Sequence, residues 1–328
     1  MAEADMASRV ERSSDMDIPV YLFTGFLDAG KTTFIQSILE APGDGEARRT
    51  LLLLCEEGET EYNESSFAPH FVHIEVVDEE TDLKEAYLAS LAARYSIDEV
   101  FVEYNGMWMM GSLFAAMPPN WIIAQEICFM NAETFLIYNK NARQQTFDKM
   151  KTPDLLVFNR CVRGEFDKKE FHRQARIASR KVQIVYEYDK DDVEPDTIED
   201  PLPFDKEASA IEIKPEFYAE WYRDINENPD DYEEKWIVVK GRVAMVNELP
   251  PGKFAFGRHV MTCCVQDIQF AALLAVYKED SKYNVGDWIE IKAKVHIEYD
   301  DVYQEIGPVL YCRHVTRVNP VEPEVATF

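Results

Sequence analysis

The sequence predicts an α/β domain with a mostly parallel sheet, followed by a small closed β-barrel of the OB type. Short apolar runs alternate with amphipathic segments from Ile18 to about residue 190, an order typical of parallel sheets covered by helices. One run, Arg49 to Cys55, contains four consecutive leucines, as in strands buried on both faces. Five strand-like segments follow within about 85 residues near the end of the chain, which favours a barrel.

Composition limits the classes of partner. The chain has 328 residues and a formal net charge of −27, and such an acidic surface repels nucleic acid and anionic lipid. No apolar run approaches membrane-spanning length, and residues 1–17 lack the apolar core of a signal peptide. The six cysteines show no paired framework. We therefore expect no nucleic-acid partner, no membrane insertion, a cytoplasmic location and reduced thiols.

Four segments are expected along the chain. Residues 1–17 are polar and predict a disordered tail, residues 18–190 the α/β domain, residues 191–210 a linker, and residues 211–328 a helix followed by the barrel. The linker is placed where acidic residues and prolines become frequent.

Hydrophobic periodicity gives the expected elements. The predicted strands of the α/β domain are Val20–Thr24, Arg49–Cys55, Phe71–Val77, Glu99–Glu103, Phe129–Tyr138, Leu155–Asn159 and Val182–Tyr186. Its predicted helices are Thr32–Glu40, Asp82–Tyr95 with Thr81 as N-cap, one near Gly111–Met117, and Lys168–Lys181. In the second domain a helix over about Pro215–Asn228 precedes strands Trp236–Val246, Gly257–Val265, Phe270–Val276, Trp288–Glu298 and Gly307–Val318.

The first predicted strand ends in G-F-L-D-A-G-K-T-T, residues 25–33, and a helix follows. Strand, glycine-rich loop and helix in this order are the context that a Walker A phosphate loop requires. The loop amides and the helix N-terminus favour an anion, Lys31 suits the β- and γ-phosphates, and Thr32 suits Mg²⁺. The residues expected to bind nucleotide here are Gly25, Asp28, Ala29, Gly30, Lys31, Thr32 and Thr33.

Two further strand ends complete the expected site. Glu103 and Gly106 form an E-x-x-G pattern after a buried strand, which predicts a carboxylate near Mg²⁺ and an amide for the γ-phosphate. Glu56 follows the leucine-rich strand, where a switch segment should lie. For Glu56 a catalytic role in positioning Mg²⁺ or water and a plain solvated acidic loop remain about equally supported.

The base-recognition loop is expected at Asn159 and Arg160, where the pattern N-R-C-V takes the place of N-K-x-D. Asn159 could bond the base and the stem of Arg160 could stack on it. Val162 stands where an aspartate would accept two hydrogen bonds from guanine, so guanine is not clearly preferred. GTP and ATP both remain open, unless Glu165 or Asp167 reaches the base.

Together, the phosphate loop at residues 25–33, E-E-G at 56–58, E-x-x-G at 103–106 and N-R at 159–160 resemble the CobW-type P-loop GTPases. That family is associated with metal-ion trafficking and metallocofactor assembly. The resemblance covers roughly residues 18–190. It implies GTP hydrolysis with Mg²⁺, with Lys31 on the phosphates, Thr32 and Glu103 at the metal, and Gly106 in a switch.

The chain departs from the family pattern in three places. It has no cysteine between Gly58 and Glu103, where the family carries a C-x-C-C metal motif. Val162 replaces the base-reading aspartate. Asp28 puts a carboxylate in the phosphate loop, where glycine is usual, and this negative charge predicts modest nucleotide affinity.

Residues 217–323 resemble a bacterial domain of unknown chemistry found in proteins encoded alongside predicted membrane permeases, mainly through R-H-V-M-T-C-C-V-Q-D at residues 258–267. In strands, His259 and Cys263 would share one face, and Cys312 and His314 another. If those strands pair, a zinc site with two cysteines and two histidines becomes possible. Packing of these side chains in a barrel core is the favoured alternative.

The leading hypothesis is therefore a cytoplasmic, Mg²⁺-dependent nucleoside triphosphatase with slow turnover. It would act as a switch on a protein partner, in metal homeostasis or in a permease system. A non-enzymatic nucleotide-binding adaptor and a metal carrier using the C-terminal cysteines and histidines are the alternatives.

Overall fold

A computed structural model describes residues 17–41, 48–67, 71–245, 249–262, 267–277 and 283–328. The expected disordered tail therefore lies, apart from Asp17, outside the described residues. The chain divides into two compact units, residues 1–198 and 199–328. Among the described residues, no helix is both long enough and apolar enough to span a bilayer.

The N-terminal unit is an eight-stranded sheet with helices packed against it. Its strands are β1 Ile18–Gly25, β2 Arg49–Leu54, β3 Phe71–Val76, β4 Glu99–Glu103, β5 Trp121–Asn131, β6 Leu155–Asn159, β7 Gln183–Asp189 and β8 Asp192–Pro195. Its helices are α1 Lys31–Glu40, α2 Glu85–Tyr95, α3 Met110–Ala116, α4 Phe135–Asn141, α5 Arg143–Lys151 and α6 Lys168–Ala178.

The strand order is β3-β2-β4-β1-β5-β6-β7-β8, and only β8 runs antiparallel to its neighbour. The leucine-rich strand β2 is buried on both faces: Leu51 and Leu53 belong to one hydrophobic cluster and Leu52 to another, and none of the three has solvent exposure. Strand β1 lies between β4 and β5, so the chain leaves β1 in one direction and later returns on its other side. Ligands of open α/β sheets bind at such a switch point, beyond the carboxyl ends of the strands.

Several predicted elements were wrong. The apolar run assigned to a strand over Phe129–Tyr138 is instead the end of β5, a turn, and helix α4. The ring of Phe135 on α4 contacts Phe158 and Phe171, and this packing favours the helix. Helix α5 was not predicted at all. Its many polar residues hide the helical period.

One capping prediction also fails, and one short strand was not predicted. Thr81 is not the N-cap of α2, because Glu80–Asp82 forms a separate 3₁₀ turn and Lys84 occupies the N-cap position. Strand β8 lies within the segment interpreted as a linker, where it pairs with β7 through backbone hydrogen bonds. Local composition gives no sign of that pairing, since the strand is only four residues long.

The C-terminal unit is a closed five-stranded barrel with short added strands. The elements are β9 Ile211–Ile213, α7 Tyr218–Glu227, β10 Trp236–Met245, β11 Lys253–Met261, β12 Gln269–Val276, β13 Trp288–Asp300, β14 Glu305–Arg317 and β15 Ala326–Thr327. β10 pairs with both β11 and β13, and β12 pairs in parallel with β14, which closes the sheet. A barrel order of first, second, third, fifth and fourth strand is the OB arrangement. The predicted fold class is confirmed for both units.

Helix α7 and a buried arginine complete the barrel. Tyr218, Trp221 and Ile225 lie on one face of α7 and are buried with the barrel residues, at the spacing of an amphipathic helix. Arg258 on β11 is 1% exposed. Its guanidinium donates to the carbonyl oxygens of Pro215 at 2.5 Å, Pro323 at 2.7 Å and Glu324 at 3.3 Å. One side chain thus joins the segments that precede and follow the barrel.

A buried carboxyl on β5 gives a prediction about stability. Glu126 is 3% exposed, and burial raises its pKa from 4.5 to about 7, although Thr152 donates a hydrogen bond to it. The folded state therefore holds this proton more tightly than the unfolded state, and its contribution to stability is lost as pH rises through about 7. Since one pKa unit is about 1.4 kcal/mol, the loss amounts to about 3 kcal/mol. The loss begins at about pH 4.5, so Glu126→Gln should match wild type at pH 4 and exceed its stability at pH 8.

The measurement is the difference in unfolding free energy between variant and wild type at the two pH values. The exposed Glu133 lies beyond the end of the same strand, so Glu133→Gln serves as the control and should show no such difference. A Glu126→Gln effect equal at both pH values would contradict the predicted titration.

Candidate functional site

The loop after β1 has the backbone geometry that its glycines require. Gly25 has φ +128°, and a Cβ at this position would lie 2.1 Å from the carbonyl oxygen of Phe129, so only glycine fits. Helix α1 begins at Lys31 with no side chain capping its N-terminus. The amides of its first turn have no acceptors within the helix, and they face a cleft lined by Gly30, Lys31, Thr32 and Thr33. This end of the helix suits an anion.

Lys31 is the positive charge of the cleft and is held by three acceptors. It is 3% exposed. Its Nζ donates to the carbonyl oxygens of Gly25 at 2.9 Å and Phe26 at 3.0 Å, and to Glu56 Oε2 at 2.6 Å. The loop backbone therefore directs the ammonium group, and Glu56 neutralises it.

Thr32 and Glu103 form the second part of the site, at the end of β4. Thr32 Oγ1 donates to Glu103 Oε1 at 2.7 Å, and the Tyr62 hydroxyl donates to Glu103 Oε2. Burial raises the pKa of the Glu103 carboxyl, while both hydrogen bonds and Lys31 lower it. A hydroxyl and a carboxylate beside a phosphate position are the oxygen ligands that Mg²⁺ uses together with waters and phosphates. The residues present therefore fit Mg²⁺.

Gly106 lies against the phosphate loop. A Cβ at Gly106 would lie 2.6 Å from Cα of Phe26 and 2.8 Å from the carbonyl oxygen of Gly25, so any larger residue would push the two segments apart. The Gly106 amide donates to Glu56 Oε1 at 3.2 Å. The backbone N–H of the E-x-x-G pattern thus bonds the same carboxylate as Lys31.

The segment that follows Gly106 is fastened to helix α5. The Nζ of Lys149, which has no solvent exposure, donates to the carbonyl oxygen of Trp108. Asp148 Oδ2 accepts from the amide of Met110 at 2.7 Å, and the Tyr104 hydroxyl donates to the carbonyl oxygen of Met109 at 2.8 Å. Three polar contacts hold a stretch of only three residues, and two of them come from α5.

The end of β6 supplies the candidate base loop. Asn159 Nδ2 donates to the carbonyl oxygen of Ala29 at 2.7 Å, which ties this loop to the phosphate loop. Arg160 adopts φ +52° and lines the cleft. Val162 is 46% exposed. Asp167 caps helix α6 by accepting from the amides of Lys169 and Glu170, so it is already engaged.

The structure brings the predicted phosphate-loop, E-x-x-G and switch residues together, and it adds three that sequence reasoning missed. Leu27 and Thr60 line the cleft, and Tyr62 contacts Glu103 as described. Thr60 and Tyr62 belong to an acidic stretch with no periodic or motif signal. The exposed Asp28, with φ +57° and its carboxylate beside Gly58, adds negative charge at the rim.

Among the described residues, the strand pairing on which the predicted cysteine and histidine site in the barrel depends is not present. The prediction required the strands of His259 and Cys312 to pair, but β12 separates β11 from β14. A register shift in β14 also places Cys312 opposite buried Ala293 and exposed His314 opposite Lys292, because a bulge inverts the alternation of faces. Burial raises the pKa of the Cys312 thiol to about 12, and Cys263 lies outside the described residues.

One other group of potential ligands comes together among the described residues. Glu233, Glu234 and His296 lie at the barrel surface, with His296 Nδ1 at 3.3 Å and 3.1 Å from the two carboxylates. Lys294 also pairs with Glu234. The cluster is thus internally paired and shows no geometry that requires an ion.

The fold and the phosphate loop together define the class of protein. The N-terminal unit has the P-loop NTPase fold, with the phosphate loop at the switch point of the sheet, and an OB-type barrel follows it.

Comparison with known families identifies part of the chain. Residues 188–325 match the model of the DUF1980 C-terminal domain, which includes strand β8 and the whole barrel. This match spans less than half of the chain. No curated protein sequence matches.

Solved structures similar to this chain include the hydrogenase maturation factor HypB from Archaeoglobus fulgidus. It has 14% sequence identity and a TM-score of 0.38, over 52% of this chain and 80% of that one. A Zn(II)-bound triple mutant of the YjiA GTPase has 17% identity and a TM-score of 0.39, over 81% of this chain and 92% of that one.

Proposed function

We propose that this protein is a Mg²⁺-dependent nucleoside triphosphatase of the CobW-like type, which binds GTP or ATP and hydrolyses it slowly. The observation that carries the proposal is the meeting of Lys31, Thr32 and Glu103 at the switch point of a parallel sheet. The proposal places an anion at the N-terminus of α1 and a divalent cation beside Thr32 and Glu103.

Each group has a defined task in this proposal. Lys31 and the first-turn amides of α1 bind the β- and γ-phosphates, and the Gly106 amide binds the γ-phosphate from the opposite side. Thr32 and Glu103 would hold Mg²⁺, which would supply positive charge against the phosphate oxygens.

Turnover is expected to be slow. Among the described residues that line the cleft, the cationic side chains are Lys31 and Arg160, and Arg160 lies at the base end. No further cation from this part of the chain reaches the γ-phosphate position. Because a second cation can raise such rates by about 10³–10⁵, its absence there supports a low intrinsic rate.

Base selection is expected to be weak. Val162 offers no acceptor to the Watson–Crick edge of guanine, and Asp167 is engaged as a helix cap. Sites that bond a polar group of the substrate discriminate strongly, whereas apolar sites do not. GTP and ATP should therefore bind with similar affinity, and both belong in every assay.

The proposed output is control of a protein partner in a permease-linked metal or solute system. The match of residues 188–325 to the DUF1980 C-terminal domain supports a second functional module in addition to the nucleotide-binding unit. The resemblance of that region to domains encoded alongside predicted permeases suggests the partner class.

Hydrolysis can be tested at Glu103 with a closely matched control. Glu103→Gln should lower kcat for GTP and ATP by about 10²-fold or more, because the carboxylate that holds Mg²⁺ is lost. Glu99 lies at the other end of the same strand, is also buried, and likewise accepts from a threonine, Thr50, at 2.7 Å. Glu99→Gln should retain wild-type turnover. Steady-state phosphate release unaffected by Glu103→Gln would instead indicate the non-enzymatic adaptor.

A further inference from the structure

We propose that the Glu56 carboxylate is a built-in occupant of the γ-phosphate position, which a nucleoside triphosphate must expel in order to bind. The inference rests on the proposed function and assigns Glu56 a role in selecting between triphosphate and diphosphate. It follows from the hydrogen bonds of Lys31, from the two hydrogen bonds of the Glu56 carboxylate, and from the burial of Glu56.

The first argument concerns the hydrogen bonds of Lys31. An ammonium group has three N–H donors, and at Lys31 all three are used by Gly25, Phe26 and Glu56. The first two acceptors are backbone carbonyls of the loop itself. Glu56 is the only side chain of the three, so it is the partner that a phosphate oxygen can replace without unfolding the loop.

The second argument is that Glu56 also reaches the opposite wall. Its other oxygen, Oε1, accepts from the Gly106 amide at 3.2 Å. One carboxylate therefore bridges the lysine of the phosphate loop and the amide of the E-x-x-G turn. A γ-phosphate would need both of these donors, and a carboxylate resembles it in charge sign and in having two acceptor oxygens.

The third argument concerns burial. The Glu56 side chain is 10% exposed although its chain neighbour Glu57 is exposed. A carboxylate rarely leaves water unless it is paired, and here its partners are the nucleotide-binding groups themselves. The closed arrangement is thus a stable alternative to a bound triphosphate.

Expulsion of Glu56 would also affect the metal site. Tyr62 lies six positions later in the same segment and donates to Glu103. If Glu56 leaves, the segment that carries Tyr62 loses one of its anchors, while Asn63 stays bonded to Gln36 on α1. This would uncover the second oxygen of Glu103 for Mg²⁺. A diphosphate lacks the γ-phosphate that competes for the Gly106 amide, so it leaves the hydrogen bond between Glu56 and Gly106 in place.

The experiment measures affinities of full-length wild-type, Glu56→Gln and Glu57→Gln proteins for diphosphates and β,γ-imido triphosphates of guanosine and adenosine, with Mg²⁺. Removing the competing carboxylate removes the free-energy cost of separating Glu56 from Lys31 and Gly106 before the triphosphate binds. We expect Glu56→Gln to bind the triphosphate analogue at least about tenfold more tightly than wild type does. Its affinity for the diphosphate should differ from that of wild type by less than about threefold. The neighbouring Glu57→Gln should match wild type.

Equal or weaker triphosphate binding by Glu56→Gln, with nucleotide bound by wild type, overturns the inference and leaves the proposed function intact. Absence of nucleotide binding by all three proteins overturns both. Hydrogen–deuterium exchange of wild type gives a second test that needs no variant. Amides of residues 55–62 should exchange faster with the triphosphate analogue than with diphosphate, and identical exchange would also overturn the inference.

Discussion

Lys31→Ala is expected to lower affinity for Mg²⁺-GTP and Mg²⁺-ATP by more than about 100-fold. The ammonium group is the only cation of the described chain at the phosphate end of the cleft, and alanine leaves the phosphates with backbone donors alone. Nucleotide at about 100 times its Kd stabilises a folded protein by about 2.7 kcal/mol. This stabilisation should disappear in the variant, as read from the shift in Tm on adding nucleotide.

The variant also leaves Glu56 without its lysine, so the unliganded protein should unfold more easily. Far-UV circular dichroism and the Tm without nucleotide separate that effect from loss of binding. Lys151→Ala, at the exposed end of α5, serves as a control for removing a positive charge. An undiminished nucleotide-induced shift in Lys31→Ala would contradict the assignment of the phosphate loop.

Arg258→Leu is expected to destabilise the barrel unit by about 3–5 kcal/mol. The side chain donates to three backbone carbonyls and is almost completely buried. Leucine fills part of the space but donates nothing, and each buried acceptor left unpaired costs about 1–3 kcal/mol. Urea unfolding followed by near-UV circular dichroism measures the change.

Arg313→Leu is the control, because Arg313 is exposed on β14 of the same barrel and its removal should change stability by less than about 0.5 kcal/mol. A loss for Arg258→Leu no larger than for Arg313→Leu would show that the segments before and after the barrel are held by other contacts.

The sequence was most informative where function and local backbone geometry coincide. Position 25 requires glycine because its φ is positive and because the carbonyl oxygen of Phe129 leaves no room for a Cβ. Such requirements produce motifs that can be recognised in the sequence alone. The buried strand β2 and the ends of β4 and β6 were equally legible, since continuous apolar runs stop at polar residues. The fold class followed from these features.

The features that could not be predicted from the sequence depend on contacts between residues far apart in the chain. The apolar stretch from Phe129 to Tyr138 fits strand and helix alike, and aromatic packing of Phe135 decides between them. The bridge formed by Glu56 required knowledge that Lys31 and Gly106 lie on opposite sides of one cleft. The barrel metal site failed for the same reason, because strand neighbours and the bulge in β14 are set by the whole sheet.

The attachment of residues 106–110 to helix α5 determines which half of the cleft can respond to ligand. Because Trp108 and Met110 are both hydrogen-bonded to α5, the Gly106 amide has little freedom and forms the fixed side of the cleft. The opposing side is the stretch from Glu56 to Tyr62, whose hydrogen bonds in the cleft are made to Lys31, Gly106 and Glu103, the groups proposed to bind nucleotide and Mg²⁺. A change of bound nucleotide would therefore move the stretch from Glu56 to Tyr62, and a partner that senses this change should contact residues 57–61.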